Sequence, residues 1–127
     1  MILVDSSVWI EFFRGGDTAL TAKLARLLDE DQVAMTPPTR LEILSGASRR
    51  DLPRLRRVLS ALPLLEPGRS IWEDIERWVE TAVARGERFG VGDLLIAAIA
   101  AQHAAEIWSL DQDFARMERL GFVQGHR

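Results

Sequence analysis

The chain opens on an apolar run that stops at an acid: Ile2, Leu3 and Val4, then Asp5. An unbroken aliphatic run suits a short strand covered on both faces, as the strands of a parallel sheet are. Ser6 and Ser7 then begin a helix that carries Val8, Trp9, Phe12 and Phe13. Asp5 therefore stands where strand becomes helix. In open α/β sheets ligands bind beyond the carboxyl ends of the strands, so an acid there is placed to act on one. Aspartate is also a preferred helix N-cap, and position alone leaves both roles open.

The remainder alternates helix and strand signals. Gly15 and Gly16 end the first helix, and Asp17 or Thr18 caps a second with Leu20, Leu24, Leu27 and Leu28 at helical spacing. Val33, Ala34 and Met35 read as a second strand. Thr36-Pro37-Pro38 starts a third helix, proline being tolerated in a first turn. A helix from Asp51 to Leu62 is followed by a brief extended piece, Leu62 to Leu65. Ser70 caps a helix whose stripe is Ile71, Ile75, Trp78, Val79, Ala82 and Val83. Asp93 caps a small-residue helix, Leu94 to Ala105. The strand Ile107 to Leu110 again closes on an acid, Asp111, and Phe122 to Gln124 adds an edge strand. This alternation predicts a parallel α/β sheet of about four to five short strands with helices on both faces.

Composition narrows the class. A length of 127 residues fits one domain, 1–127, and 47% hydrophobic with 28% charged residues is ordinary for a soluble globular chain. No apolar run is long enough to cross a bilayer and no basic leader precedes Ile2, so a cytoplasmic protein is expected. Without cysteine there is no disulfide scaffold, thiol nucleophile or cysteine-bound zinc. The net charge of -3 argues against a protein that simply coats nucleic acid. That sum conceals a basic cluster, Arg40, Arg49, Arg50, Arg54, Arg56 and Arg57, ahead of an acidic one, Glu66, Glu73, Asp74, Glu76 and Glu80. The planar fork of arginine matches phosphate oxygens, yet such a run also suits a solvated helix face laced with ion pairs.

The acids form the pattern with chemical content. Asp5 and Asp111 each close a strand run, Asp93 opens a helix from a glycine-flanked loop, and Glu42 interrupts the apolar residues Leu41, Ile43 and Leu44. In a parallel sheet the strand-end acids share one edge. Carboxylates so close raise one another's pKa unless a counter-charge intervenes, and a hard divalent cation such as Mg²⁺ or Mn²⁺ supplies it. Such a site orients water for attack on a phosphodiester. Asp113 is a first-turn acid or a further site member, and Ser7 is a donor to a site carboxylate or a plain cap. Motifs for other chemistries are missing: no GxSxG elbow, no HExxH and no P-loop. His103 is a packed or rim residue, and His126 falls in a tail expected to be mobile.

VDSSVWIEFF, the segment Thr39 to Leu44, GDLLIAA and SLDQDF, in that order, resemble the PIN-domain family, and most of all its VapC-type toxin branch. The resemblance implies a three-layer PIN-like fold and a metal-dependent ribonuclease with a quartet of acids. It places Asp5, Glu42, Asp93 and Asp111 in that quartet, with Asp5 and Asp93 as direct Mg²⁺ ligands and Asp113 close enough to contend for the fourth position. It also implies a homodimer, an RNA substrate such as tRNA or rRNA, and a VapB-like antitoxin laid over the site. Trp9, Phe12, Phe13 and Trp72 are core residues first and candidates for that surface second. A PIN nuclease of RNA processing and a non-catalytic PIN-like binding module remain alternatives at this level.

Overall fold

The computed structural model describes residues 1–127. Three strands, β1 (Ile2–Val4), β2 (Val33–Ala34) and β3 (Glu106–Trp108), form a parallel sheet in the order β2-β1-β3. Leu3 lies opposite Ala34 on one side and Ile107 on the other. Single parallel bridges extend both edges, Met35 to Leu64 beyond β2 and Ile107 to Gly125 beyond β3. The extended piece expected over Leu62 to Leu65 is thus present as a bridge at Leu64, and the edge strand expected over Phe122 to Gln124 is reduced to a bridge one residue later, at Gly125. Pro63 has no N–H to donate, and Pro67-Gly68 turn the chain away, so the first of them cannot lengthen its ladder.

β1 shows why the fold has three layers. A strand's period of two sends Leu3 to one face and Ile2 and Val4 to the other. Leu3 and Ile107 pack with Ile71 and Ile75 of α5 (Ile71–Ala84), Ile96 and Ile99 of α6 (Val91–Gln102), and Phe114 and Met117 of α7 (Gln112–Arg119). On the opposite face Ile2, Val4 and Val33 pack with Trp9 of α1 (Ser6–Arg14), Leu24 of α2 (Thr18–Asp29), Ile43 of α3 (Pro37–Ser45) and Leu59 of α4 (Leu52–Ser60). No helix is long and apolar enough to cross a membrane.

Several local expectations shift. At α2 the structure selects Asp17 from the two cap candidates, accepting from the Leu20 N–H at 3.0 Å. Ser70 makes no capping bond, because its backbone is already near-helical and its hydroxyl donates to Asp74 instead. β3 stops at Trp108, which moves Ser109 and Leu110 into the connection before α7. α6 ends at Gln102, two residues before Ala104 turns to φ 53°. Trp9 is fully buried, whereas Phe13 and Trp72 are 37% and 60% exposed and stand at the surface. The C-terminal segment is held in place: His126 N–H donates to the Ile107 carbonyl, and its Nδ1 lies 2.8 Å from Glu106 Oε1.

Gly15 ends α1 in the left-handed region at φ 70°, and a Cβ added there would meet nothing within 4 Å. Gly15→Ala therefore isolates backbone strain. It should cost about 1 kcal/mol and lower Tm by roughly 4 °C, read by thermal denaturation.

Candidate active site

Parallel pairing brings the carboxyl ends of β1 and β3 to one edge, and the Asp5 N–H donates to the Trp108 carbonyl at 2.9 Å. Asp5 is only 4% exposed. One of its oxygens, Oδ2, accepts three hydrogen bonds: from Ser7 Oγ at 2.7 Å, the Ser7 N–H at 3.3 Å and Ser109 Oγ at 2.9 Å. Asp5 is thus the cap of α1 and a site carboxylate at once, because capping occupies one oxygen and leaves Oδ1 without a protein donor.

The two serines tie the β1 and β3 connections together. Ser7 Oγ accepts from the Leu110 N–H at 3.0 Å, and Ser109 Oγ accepts from the Asp111 N–H at 2.9 Å. Ser109 is not among the site residues that the sequence singles out. Its signal is nonetheless there, as a hydroxyl two residues before a helix-capping acid and directly after a strand, where serine binds nearby backbone.

Asp111 caps α7, accepting from the Asp113 N–H at 2.9 Å, and Asp113 sits in that helix's first turn. Asp93 does not cap α6, contrary to expectation. Gly90 occupies the cap in an extended conformation and the helix starts at Val91, so Asp93 lies within the first turn. A carboxylate there faces the positive end of the helix dipole, which favours its charge. One carboxylate oxygen each from Asp93, Asp111 and Asp113 lie within 4.8 Å of one another. Asp5 and Glu42 stand outside that trio.

Both nevertheless lie close enough to act on Asp93. Burial first, then Asp111, Asp5, Asp113 and Glu42, push the Asp93 carboxyl from 3.8 up to about 6. Glu42 stands at the surface of α3 with its carboxyl partly desolvated. That desolvation and the charges of Asp5 and Asp111 hold it above the usual glutamate value, with the Ser6 side chain acting in the opposite sense. Asp113 differs from the rest in owning a counter-charge. Arg116 Nη2 donates to it at 2.7 Å while also pairing with Glu87, and the guanidinium lies 4.6 Å over the Phe89 ring. Asp93 and Asp111 have no arginine or lysine partner. Three oxygen donors within reach of one point, like-charge repulsion that Arg116 relieves only at Asp113, and no sulfur or imidazole donor among them make up the chemistry a hard divalent cation requires.

The PIN domain family matches residues 2–120 of the chain. The chain belongs to the PIN-domain family. Within it, the relatives are VapC proteins. The chain is 36% identical over 129 residues to Ribonuclease VapC11 of Mycobacterium tuberculosis, a match covering 98% of this chain and 96% of that protein. The same identity and coverage hold for VapC ribonuclease Mb1587 of Mycobacterium bovis. Among solved structures, FitAcB from Neisseria gonorrhoeae shares the fold with a TM-score of 0.82 at 22% identity, covering all of this chain (100%) and 97% of that one. VapBC2 from Rickettsia felis, bound to a DNA fragment from its promoter, does so with a TM-score of 0.80 at 16% identity, covering 99% and 98%. In this PIN domain the fold draws the acids from β1, α3, α6 and the start of α7 to one edge of the sheet, although they are far apart in sequence.

Proposed function

We propose that the chain is a Mg²⁺-dependent endoribonuclease, the toxin of a VapBC-type pair, acting at Asp5, Glu42, Asp93 and Asp111. The observation that carries this reading is the gathering of Asp93, Asp111 and Asp113 within 4.8 Å of one another, where burial first and then the neighbouring acids raise the Asp93 carboxyl to about 6. A cluster so costly to ionise alone is one whose charge a cation complements. The ribonuclease names of the VapC relatives and the VapBC complexes among the structural neighbours support both the activity and a VapB-like antitoxin partner.

Asp93 and Asp111, the two acids of the trio without a cationic partner, would hold Mg²⁺ or Mn²⁺, joined by the free Oδ1 of Asp5. When bound, the ion supplies Lewis acidity at the phosphate and a more acidic water. The protein's own work is positional and proton-related. Ser7 and Ser109 fix Asp5, and Asp111 is fixed in turn through its N–H. Glu42, with its proton affinity raised above that of an ordinary glutamate, is suited to accept a proton from the attacking water. Asp113, held by Arg116, which it shares with Glu87, stays fixed beside the other two acids of the trio.

The test is cleavage of tRNA and other structured RNAs by the purified chain with Mg²⁺, with Mn²⁺ and with EDTA. Cleavage in the two metal conditions and none in EDTA is expected; cleavage undiminished by EDTA would refute the reading. Ser109→Ala should lower cleavage roughly tenfold to a hundredfold, the usual range when a positioning hydrogen bond behind a metal-binding carboxylate is removed. The loss should exceed that of a control such as Thr18→Ala, whose hydroxyl is exposed and remote from the acids.

A further inference from the structure

The arginine run resolves differently from a helix face laced with ion pairs. Arg49, Arg50, Arg54, Arg56 and Arg57 are all exposed, and none of them pairs with a carboxylate. The acidic run that follows in sequence does not neutralise them, since Asp74 pairs with Arg77 of its own helix. Five arginines and one aspartate between 49 and 57 give that segment +4, which leaves the rest of a -3 chain at -7. So local an inversion of charge concentrates positive potential on one short segment.

We propose that α4 is a platform for the phosphate backbone of the RNA, gripping it outside the cleavage site; this rests on the ribonuclease reading above. Three observations carry it. Leu55 and Leu59 fasten the inner side of α4, so its arginines project from a fixed helix. α4 packs on α3, the helix that bears Glu42, and Arg40 of α3 reaches across to donate to Ser60 Oγ at 2.9 Å. The platform and the acids are thereby held in one register. Finally, the outer side of α4 offers Val58 as its one large exposed apolar side chain, too little for the apolar centre of a protein interface, whereas guanidinium forks match phosphate oxygens. The acids cut and α4 holds. Substrates long enough to span both elements should be preferred over short oligonucleotides.

The decisive experiment measures binding of fluorescent tRNA by anisotropy across a range of salt, in EDTA so that neither metal nor cleavage contributes. The triple variant Arg54→Gln, Arg56→Gln, Arg57→Gln leaves Leu55 and Leu59 untouched, and circular dichroism and Tm confirm its fold. It should bind at least about tenfold more weakly, with the slope of log K against log salt reduced by about two to three, roughly one for each phosphate no longer neutralised. The corresponding triple lysine variant keeps the charge and should retain most of the slope. Unchanged affinity and slope in the glutamine variant would overturn the proposal. So would tighter binding of duplex DNA or of polyglutamate than of tRNA, which would mark a DNA or acidic-protein surface. A chain that binds tRNA through α4 yet cleaves none of the structured RNAs with Mg²⁺ or Mn²⁺ would support the platform while refuting the nuclease reading.

Discussion

Asp5→Asn and Asp93→Asn should each reduce RNA cleavage by about a hundredfold or more and leave a folded chain. The two substitutions remove charge in different settings. At Asp5 the amide oxygen can take the place of Oδ2 and keep the three bonds from Ser7 and Ser109, while the amide nitrogen replaces the free Oδ1. The cap survives and an oxygen ligand becomes a donor, which a hard cation does not bind. At Asp93 no side-chain bond within the protein is broken, since the carboxylate makes none, and four acids are relieved of a like charge. Losing one well-placed electrostatic group in a site of this kind costs about 10²–10³ in rate. Metal titration calorimetry should show the same two variants binding Mn²⁺ more weakly, with circular dichroism unchanged. Full cleavage by either folded variant would remove that residue from the proposed set.

The acids can be found in the sequence because each breaks a pattern: Asp5 and Asp111 end apolar runs, and Glu42 sits among Leu41, Ile43 and Leu44. Asp5 and Asp111 then converge through the parallel pairing of β1 with β3, and Glu42 joins them because α3 packs on α1 and α6. What the sequence hides is set by tertiary geometry. Ser109 gains meaning only when its hydroxyl reaches Asp5, a residue 104 positions away. Arg116 separates Asp113 from Asp111 by pairing with one and not the other, a distinction that sequence proximity cannot make. The expectation that Asp93 caps its helix fails because helix propensity does not mark the boundary between Gly90 and Asp93, where Val91 and Gly92 are weak formers on either reading. Trp72 reads as core by its hydrophobicity but falls on the outward side of α5, next to the buried Ile71.

In the absence of divalent cation, the stability of the native chain relative to Asp93→Asn should fall as pH rises from about 4 to above 6. The sign follows from proton binding. Asp93 titrates near 3.8 when unfolded and about 6 when folded, so between those values the folded state binds more protons and raising the pH favours unfolding. Below both values the acid is neutral in each state and carries no penalty; above both the penalty is complete. The shift is nominally worth about 3 kcal/mol, and about 1–2 kcal/mol once solvent screening of a half-exposed group is allowed for. Near neutral pH, Asp93→Asn should therefore melt roughly 4–8 °C above the native chain, with the gap closing toward pH 4. The comparison between variants cancels the opposite trends from Asp74 and Glu118, whose carboxyls are held low by their partners. Adding saturating Mg²⁺ should then raise the melting temperature of the native chain more than that of the variant, because a ligand that binds only the folded state stabilises it by RT times the logarithm of one plus the ratio of its free concentration to Kd, which is larger for the tighter-binding chain. A gap independent of pH would mean that Asp93 is not the strained acid. A Mg²⁺ shift equal in both chains would place the ion elsewhere. The residue proposed to hold the ion is thus also the one whose substitution should stabilise the metal-free fold.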